Sequence, residues 1–235
     1  MSTDTLGLTS ALLLLGDSRL PVGGHAHSAG AEAAVVSGLV RDVDDLAAFL
    51  AGRLGTAGLT AAALSAAACR LAAVHAGPAV PVVWERLDAE VDARIPSPAA
   101  RAASRAQGRA VLRLGRECWP HPAWMLLGPA PHHAVALGVA TQACGGSPHD
   151  AAVLCAQAGT GGPASAALRL LGLDPAEVTA LLTRLAPSID AVARQAAAAA
   201  EDAGDDLSRL PARGAPMLDV HAENHAAAEV RLFAS

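Results

Sequence analysis

Residues 174–192 read DPAEVTALLTRLAPSIDAV, and this stretch gathers the signals of an amphipathic helix. Asp174 can accept a hydrogen bond from an amide at the helix start, Pro175 suits the first helical position, and Glu177 faces the positive end of the helix dipole. Apolar side chains then recur at helical spacing: Val178, Leu181, Leu182, Leu185, Ile189 and Val192. Pro187 lies inside this run and predicts a kink or a break, because proline has no amide hydrogen to donate.

The same signals recur along the rest of the chain. Asp42 precedes a helical apolar pattern that reaches Leu54, and Ser147 followed by Pro148 opens another helix. Further helical stretches are expected at about 7–16, 28–38, 60–76, 80–93, 98–117, 132–144, 164–171 and 218–230. No segment shows the sustained alternation with β-branched residues that is typical of strands. We therefore expect an all-α fold of about ten helices in a single domain covering residues 1–235.

Two segments are expected to interrupt this helical pattern. The glycine-rich residues 159–162 predict a helix break. Residues 202–217 are acidic at first and then rich in proline and glycine, which predicts a flexible arm before the C-terminal helix.

Alanine must fill much of the core. Hydrophobic residues make up 52% of the chain, whereas aromatic residues make up 2% and tyrosine is absent. Small side chains let helix backbones approach closely.

The basic residues number 17, and all of them are arginine. A chain without lysine has no P-loop lysine, Schiff-base lysine or lysine general base, so nucleotide chemistry would have to come from a partner. The net charge of −5 argues against a nucleic-acid binder, which usually carries a basic excess. A modest cluster forms either a solvated helix face or a docking face for an acidic partner. Its members are Arg94, Arg101, Arg105, Arg109, Arg113 and Arg116.

The cysteines and the apolar segments predict a cytoplasmic protein without membrane contact. Cys69, Cys118, Cys144 and Cys155 form no C-x-x-C pair, and no basic-then-apolar signal stands at the N-terminus. The charge-free stretch 118–149 is interrupted by prolines and histidines, and 54–69 is short and weakly apolar.

Local motifs leave several readings open. Residues 20–28, LPVGGHAHS, form either a tight turn in which Ser28 caps the next helix or a rigid exposed loop that a partner grips. His221 and His225 share a helix face and are either surface histidines or a weak nickel or zinc contact. Their order, H-x-E-x-H, lacks the general base of the zincin motif H-E-x-x-H. The adjacent His132 and His133 point their rings in different directions. We predict no catalytic residue.

Three stretches carry a resemblance to a known family. Residues 17–32, DSRLPVGGHAHSAGAE, are similar to a P-x-G-G turn followed by S-x-G-L-E. Residues 133–138, HAVALG, and 165–170, SAALRL, are similar to central H-x-V-x-x-G and S-A-x-x-R-L patterns. Residues 216–235 resemble a closing H-E…R-L-F-x-S. In this order and spacing they resemble the urease accessory protein UreF family over essentially the whole chain. The chain departs from the family at His25, which is usually Phe or Tyr, at Ala31, which is usually Leu, and after His225, where Glu is missing.

The resemblance implies an all-α homodimer that dimerises through helices, without a cofactor of its own. It implies a non-enzymatic scaffold that joins the accessory protein UreH (also called UreD) to the nickel-carrying GTPase UreG, so that nickel is inserted into apo-urease. Residues 218–235 would be a C-terminal partner-binding segment. The implied partner-binding positions are Pro21, Gly23, Gly24, His25, Ser28, Arg231, Leu232 and Phe233. Two alternatives remain: a metal-dependent hydrolase that uses His221 and His225, and a regulator of the partner GTPase.

Overall fold

The computed structural model describes residues 4–17, 20, 27–74, 81–228 and 232–233. The described residues form α-helices and no strands, so the all-α single domain is confirmed. The helices are α1 (Asp4–Leu15), α2 (Ala31–Val36), α3 (Val43–Arg53), α4 (Leu59–Val74), α5 (Pro81–Arg94), α6 (Pro98–Cys118), α7 (His133–Ala143), α8 (Pro148–Leu171), α9 (Pro175–Ala203) and α10 (Pro216–Ala227). Short 3₁₀ turns lie at Pro122–Met125 and Leu207–Arg209.

The helix starts that the sequence predicts are confirmed by their side-chain caps. The Asp42 carboxylate accepts from the Asp45 amide at 2.9 Å, and the Asp174 carboxylate accepts from the Ala176 amide at 2.8 Å. Ser147 and Asp150 form a reciprocal capping box at the start of α8. Each cap gives one otherwise unpaired amide a partner, which fixes where the helix begins.

Helices α4, α7, α8 and α9 surround the main core, and the alanine-rich sequence lets them approach closely. Gly138 of α7 lies so near the Ser65 carbonyl of α4 that any Cβ there would collide with it. Trp124 is buried and covers Gly115 of α6 in the same way. These contacts depend on the small side chains that the composition shows.

One continuous helical run serves two apolar clusters. Between α3 and α4 the chain forms a π-turn at Leu54–Gly58. Leu46 and Leu50 on α3 pack into a smaller cluster with Ala164, Val178 and Leu181, whereas α4 packs into the main core. The run Val43–Val74 is long and apolar enough to cross a membrane, but 67% of its most apolar window is buried inside the protein, as in the core helix of a soluble protein.

The helix break expected at residues 159–162 is wrong, because α8 runs unbroken from Pro148 to Leu171. Pro163 has no amide hydrogen, so the Gly159 carbonyl four residues earlier lacks its usual donor. The Nε–H of Arg53 takes that place at 3.0 Å. A side chain from α3 thus replaces the missing hydrogen bond of α8.

Pro187 does not break α9, which continues from Pro175 to Ala203. Proline at this position removes the amide that would bind the Thr183 carbonyl. Thr183 and Pro187 both lie on the exposed side of α9, where water can bind that carbonyl.

The segment 202–217, for which the composition predicts a flexible arm, makes hydrogen bonds to α4 and α5. Arg94 donates to the carbonyls of Leu207, Ser208, Leu210 and Pro211. The Thr60 hydroxyl exchanges two hydrogen bonds with the backbone of Arg213, at 3.1 and 3.0 Å. This segment, which we call the strap, therefore lies across α4 and α5 and leads into α10.

Candidate docking site at the C-terminal segment

Helix α10 buries polar side chains and exposes apolar ones. Its buried side chains are His221 and His225, whereas Met217 is 57% exposed and Val220 is 49% exposed. Most surface helices have the opposite arrangement, with their apolar stripe against the core. The outward apolar face of α10 is therefore available to another molecule.

A single carboxylate on α2 holds both α10 and the chain end. Glu32 is buried, and its Oε2 accepts from His225 Nε2 at 2.6 Å. The same carboxylate accepts from the Leu232 amide at 2.8 Å and from the Phe233 amide at 3.2 Å. Leu232 and Phe233, which we call the C-terminal tail, are thus tied by their backbone to α2.

The two side chains of the tail have opposite environments. Phe233 is 9% exposed and packs against Ala31 and Ala166, whereas Leu232 is 74% exposed. The Arg169 guanidinium lies over the Phe233 ring, 4.7 Å from its centroid, as in a cation–π contact. The tail is therefore anchored by Phe233 and presents Leu232 to the outside.

The three sequence stretches behind the resemblance meet around this tail. Glu32 comes from the first, Ala166 and Arg169 from the second, and His225 and Phe233 from the third. The contacts span about the whole chain: Glu32 and Leu232 are 200 positions apart in sequence. Residues that look like separate motifs thus form one connected site.

The electrostatics of the site favour a charged Glu32 and a neutral His221. Burial alone raises the pKa of Glu32, but the hydrogen bonds from the Leu232 amide and His225 outweigh it and bring this pKa below its ordinary value. Burial lowers the pKa of His221, whose Nδ1 is buried without a hydrogen-bond partner among the described residues. Glu223, on the same helix, accepts from the Ala99 amide at 2.9 Å and so ties α10 to the start of α6.

The glycine turn is only partly described. Pro21, Gly23, Gly24, His25 and Arg231 lie outside the described residues. Ser28 is buried, but it is not the N-cap of α2. That cap is Gly30, at a φ of 92° that glycine adopts without strain.

The two candidate metal ligands on α10, His221 and His225, do not belong to a group of three or more metal-ligating side chains among the described residues. His225 is bonded to Glu32, and Glu223 is bonded to α6 instead of facing the histidines. In the described part of the chain, the group whose ligand atoms lie together is Asp88, Asp92 and His132. Arg105 already binds both of these carboxylates, at 2.8 and 2.7 Å, so the group is a neutralised ion-pair network.

The adjacent histidines face different surroundings, as predicted. His132 is fully buried and bonds Asp92 and Ser104, each at 3.0 Å. His133 lines a cleft beneath α10, and burial together with the nearby His27 lowers the pKa of His133 to about 4.

The arginine cluster is mostly structural. Arg94 clamps the segment before α10, Arg101 and Arg105 lie beside Asp92, and Arg116 donates to the Trp124 carbonyl. Arg109 and Arg113 remain exposed on α6, and the structure gives them no ion pair among the described residues.

Sequence reasoning missed Glu32 and Arg169 as members of the site. The available signal was an acidic residue in the alanine-rich stretch 31–36, where a charge needs a partner once it is buried. The partner itself, a backbone amide at the other end of the chain, leaves no mark in local sequence.

Comparisons with known proteins identify the family of this chain. Residues 40–186 match the family model described as UreF. The chain is 47% identical over 226 residues to the urease accessory protein UreF of Mycolicibacterium vanbaalenii, covering 96% of this chain and 98% of that protein. It is 48% identical over 226 residues to the UreF protein of Mycobacterium sp. strain JLS, with the same coverage, and 42% identical over 224 residues to that of Mycobacterium marinum, covering 95% and 97%. The chain therefore belongs to the UreF family of urease accessory proteins.

Proposed function

We propose that this protein is a cytoplasmic, non-catalytic scaffold that bridges UreH (UreD) and the GTPase UreG, so that nickel is inserted into apo-urease. The observation that carries the proposal is the reversed polarity of α10, which buries histidines and exposes Met217 and Val220. A surface helix gains little within its own chain from exposed apolar side chains, whereas a partner that covers them gains the hydrophobic contribution.

The tail extends the same docking surface. Leu232 is exposed beside the anchored Phe233, so the partner-binding segment 218–235 offers apolar side chains from both a helix and an extended tail. Because Glu32 and Phe233 already hold the tail, binding would require little further loss of chain entropy. We assign this surface to UreH.

The glycine turn at Pro21, Gly23, Gly24 and His25 is proposed as a second partner contact. Only the five residues Ala26 to Gly30 separate this turn from α2, which carries the Glu32 that holds the tail. Movement of the tail would therefore reach the turn through a short connection. We further propose that two copies associate through their alanine-rich helices, and that nucleic acid and membranes are not partners.

The experiment is co-expression with the UreH and UreG homologues and apo-urease, followed by size-exclusion chromatography. We expect the wild-type chain to co-elute with UreH and UreG, whereas the double substitution Met217→Asp with Val220→Asp abolishes the UreH step. Met125→Asp is the matched control, because Met125 is 79% exposed and lies in the 3₁₀ turn after α6. Full assembly of the α10 variant, or of a chain lacking residues 231–235, would overturn the assignment of this surface.

Regulation of the GTPase is a second candidate function, favoured by Arg109 and Arg113, which are exposed without an ion-pair partner in the described chain. An arginine supplied by one protein can stabilise the transition state of phosphoryl transfer in another. GTP turnover by UreG is measured with the wild-type chain and with Arg109→Gln or Arg113→Gln, at matched nickel and bicarbonate. A scaffold that only positions the GTPase predicts equal turnover for all three.

A further inference from the structure

A cleft of about 250 Å³ lies beneath α10, between this helix and α4, α5 and α6. Its walls are mostly small or apolar, with Ala57, Ala61, Leu64, Val91 and Ala103 among them. Such a space admits a small molecule. The polar groups that line it decide what that molecule can be.

Among the described residues that line the cleft, arginines outnumber carboxylates three to one. The arginines are Arg53, Arg94 and Arg213, and the histidines His133, His221 and His225 also line the cleft. The single carboxylate of this described lining is that of Asp219, and its Oδ1 already accepts from the Ser97 amide at 3.3 Å. The cleft is therefore short of negative charge.

Arg53 carries most of that imbalance. Its Nε–H donates to the Gly159 carbonyl at 3.0 Å, and no carboxylate of the described chain lies within ion-pair distance of its guanidinium. Arg94, by contrast, donates its hydrogen bonds to Glu90 and to backbone carbonyls between residues 207 and 211. A partly buried guanidinium with no counter-charge is unfavourable unless an anion or water accepts its remaining hydrogens.

Two further side chains add donors around the same cleft. His221 has a buried Nδ1 with no hydrogen-bond partner, and a neutral imidazole can donate from either nitrogen. Arg213 makes one side-chain hydrogen bond, from Nη1 to the Gly55 carbonyl at 3.3 Å. Donors from three parts of the chain, at the end of α3, on the strap before α10 and on α10, thus line one small space.

We propose that this cleft binds a small free oxyanion, a carboxylate or a tetrahedral oxyanion such as phosphate, with Arg53 as its main counter-charge and Arg213 and His221 as additional donors. A planar or tetrahedral oxyanion accepts two parallel hydrogen bonds from one guanidinium, which matches the free edge of Arg53. The site goes beyond the proposed scaffold function and does not depend on it, because its walls come from this chain alone.

Binding would add a further connection between elements that the Arg213 hydrogen bonds to Gly55 and Thr60 already join. The anion would hold the end of α3 and the strap before α10 together, because both contribute a donor to it. A ligand that binds the folded state alone raises stability in proportion to the logarithm of its concentration above the dissociation constant. The midpoint of thermal unfolding should therefore rise with the anion at constant ionic strength.

The experiment titrates the full-length purified protein with sodium acetate and, separately, with inorganic phosphate, with sodium chloride at equal ionic strength as the reference. Isothermal titration calorimetry and the thermal midpoint are read together. We expect saturable binding of at least one of the two oxyanions at one site per chain, and no such effect of chloride. A preference between the two identifies planar or tetrahedral chemistry.

The variants separate anion binding from the role of Arg53 in α8. Pro163→Ala restores the amide that binds the Gly159 carbonyl, so that α8 no longer needs Arg53. In that background we expect Arg53→Gln to weaken oxyanion binding by about tenfold or more, while Pro163→Ala alone binds as the wild type does. Arg113→Gln, which removes an exposed arginine from α6, should leave binding unchanged.

A second variant keeps Arg53 and fills the space. Ala103→Leu places a larger apolar side chain in the wall of the cleft and should abolish saturable binding without removing any charge. The proposal is overturned if neither oxyanion gives saturable binding to the wild-type chain. It is equally overturned if the Pro163→Ala chain binds with the same affinity whether residue 53 is Arg or Gln.

Discussion

Two buried histidines are each bonded to a carboxylate, and their settings differ. His132 bonds Asp92, whose charge is also neutralised by Arg105, and the three residues join α5, α6 and the start of α7. His225 bonds Glu32, whose remaining acceptors are filled by backbone amides of the C-terminal tail. The first carboxylate is compensated by a fixed cation. The charge of the second carboxylate is compensated in part by backbone amides of the C-terminal tail, so the protonation of Glu32 and the position of the tail are linked.

The comparison predicts that the His132 network stabilises the whole fold, whereas the Glu32 network stabilises the attachment of the tail.

His132→Ala should lower the free energy of unfolding by ~2–4 kcal/mol, because it leaves a cavity and removes a partner from Asp92 and Ser104. Urea unfolding measures this loss, and amide exchange at Leu232 and Phe233 should stay as in the wild type. His149→Ala is the control, since His149 is exposed on α8. A His132 variant as stable as this control would remove the distinction between the two networks.

Acid should weaken the core before it releases the tail. Burial lowers the pKa of His132 and brings that of His133 to about 4, so the unfolded chain binds protons more readily below the ordinary histidine pKa. Stability should fall by ~1–2 kcal/mol between pH 7 and pH 5. The pKa of Glu32 lies below its ordinary value, so its contribution is complete above that ordinary value and is lost only as the pH falls further, through the folded pKa. Tail amides that lose protection already between pH 7 and pH 5 would contradict this order.

Glu32→Gln should lower the free energy of unfolding by only ~1 kcal/mol, yet it should raise amide exchange at Leu232 and Phe233 several-fold. A neutral amide oxygen is a weaker acceptor than a carboxylate and cannot serve three donors equally. Hydrogen exchange followed by NMR measures both amides. Glu177→Gln, at an exposed first-turn position of α9, is the matched control and should change neither quantity.

Arg169→Gln should have the smallest effect. It removes the cation over the Phe233 ring, which is worth ~0.5–1 kcal/mol at a surface site. The fluorine NMR signal of a labelled Phe233 should broaden or shift, whereas global stability should change little. An unchanged signal would mean that packing on Ala31 and Ala166 alone fixes the ring.

Local sequence predicted the helices because caps and apolar spacing are local. Asp42, Ser147 and Asp174 act within three residues of their own positions, and each begins the helix expected of it. Residues 159–162 misled the prediction because the rescue of α8 comes from Arg53, 106 positions away. The family resemblance pointed to the residues of the tail site as three separate motifs, but it did not predict that these motifs contact each other. The carboxylate that joins them acts across 200 positions, and no period or cap encodes such a contact.

The π-turn at Leu54–Gly58 rotates the helix face that points inward between α3 and α4. It adds about one residue to the helix, and one residue corresponds to about 100° of rotation around the axis. The face of α3 that packs on the smaller apolar cluster can therefore be exchanged for a different face along α4, without an intervening loop. One helical run thus packs against two apolar clusters, because the π-turn rotates the face that points inward. The number of residues in this turn, which includes Gly55 and Gly58, therefore matters to the fold.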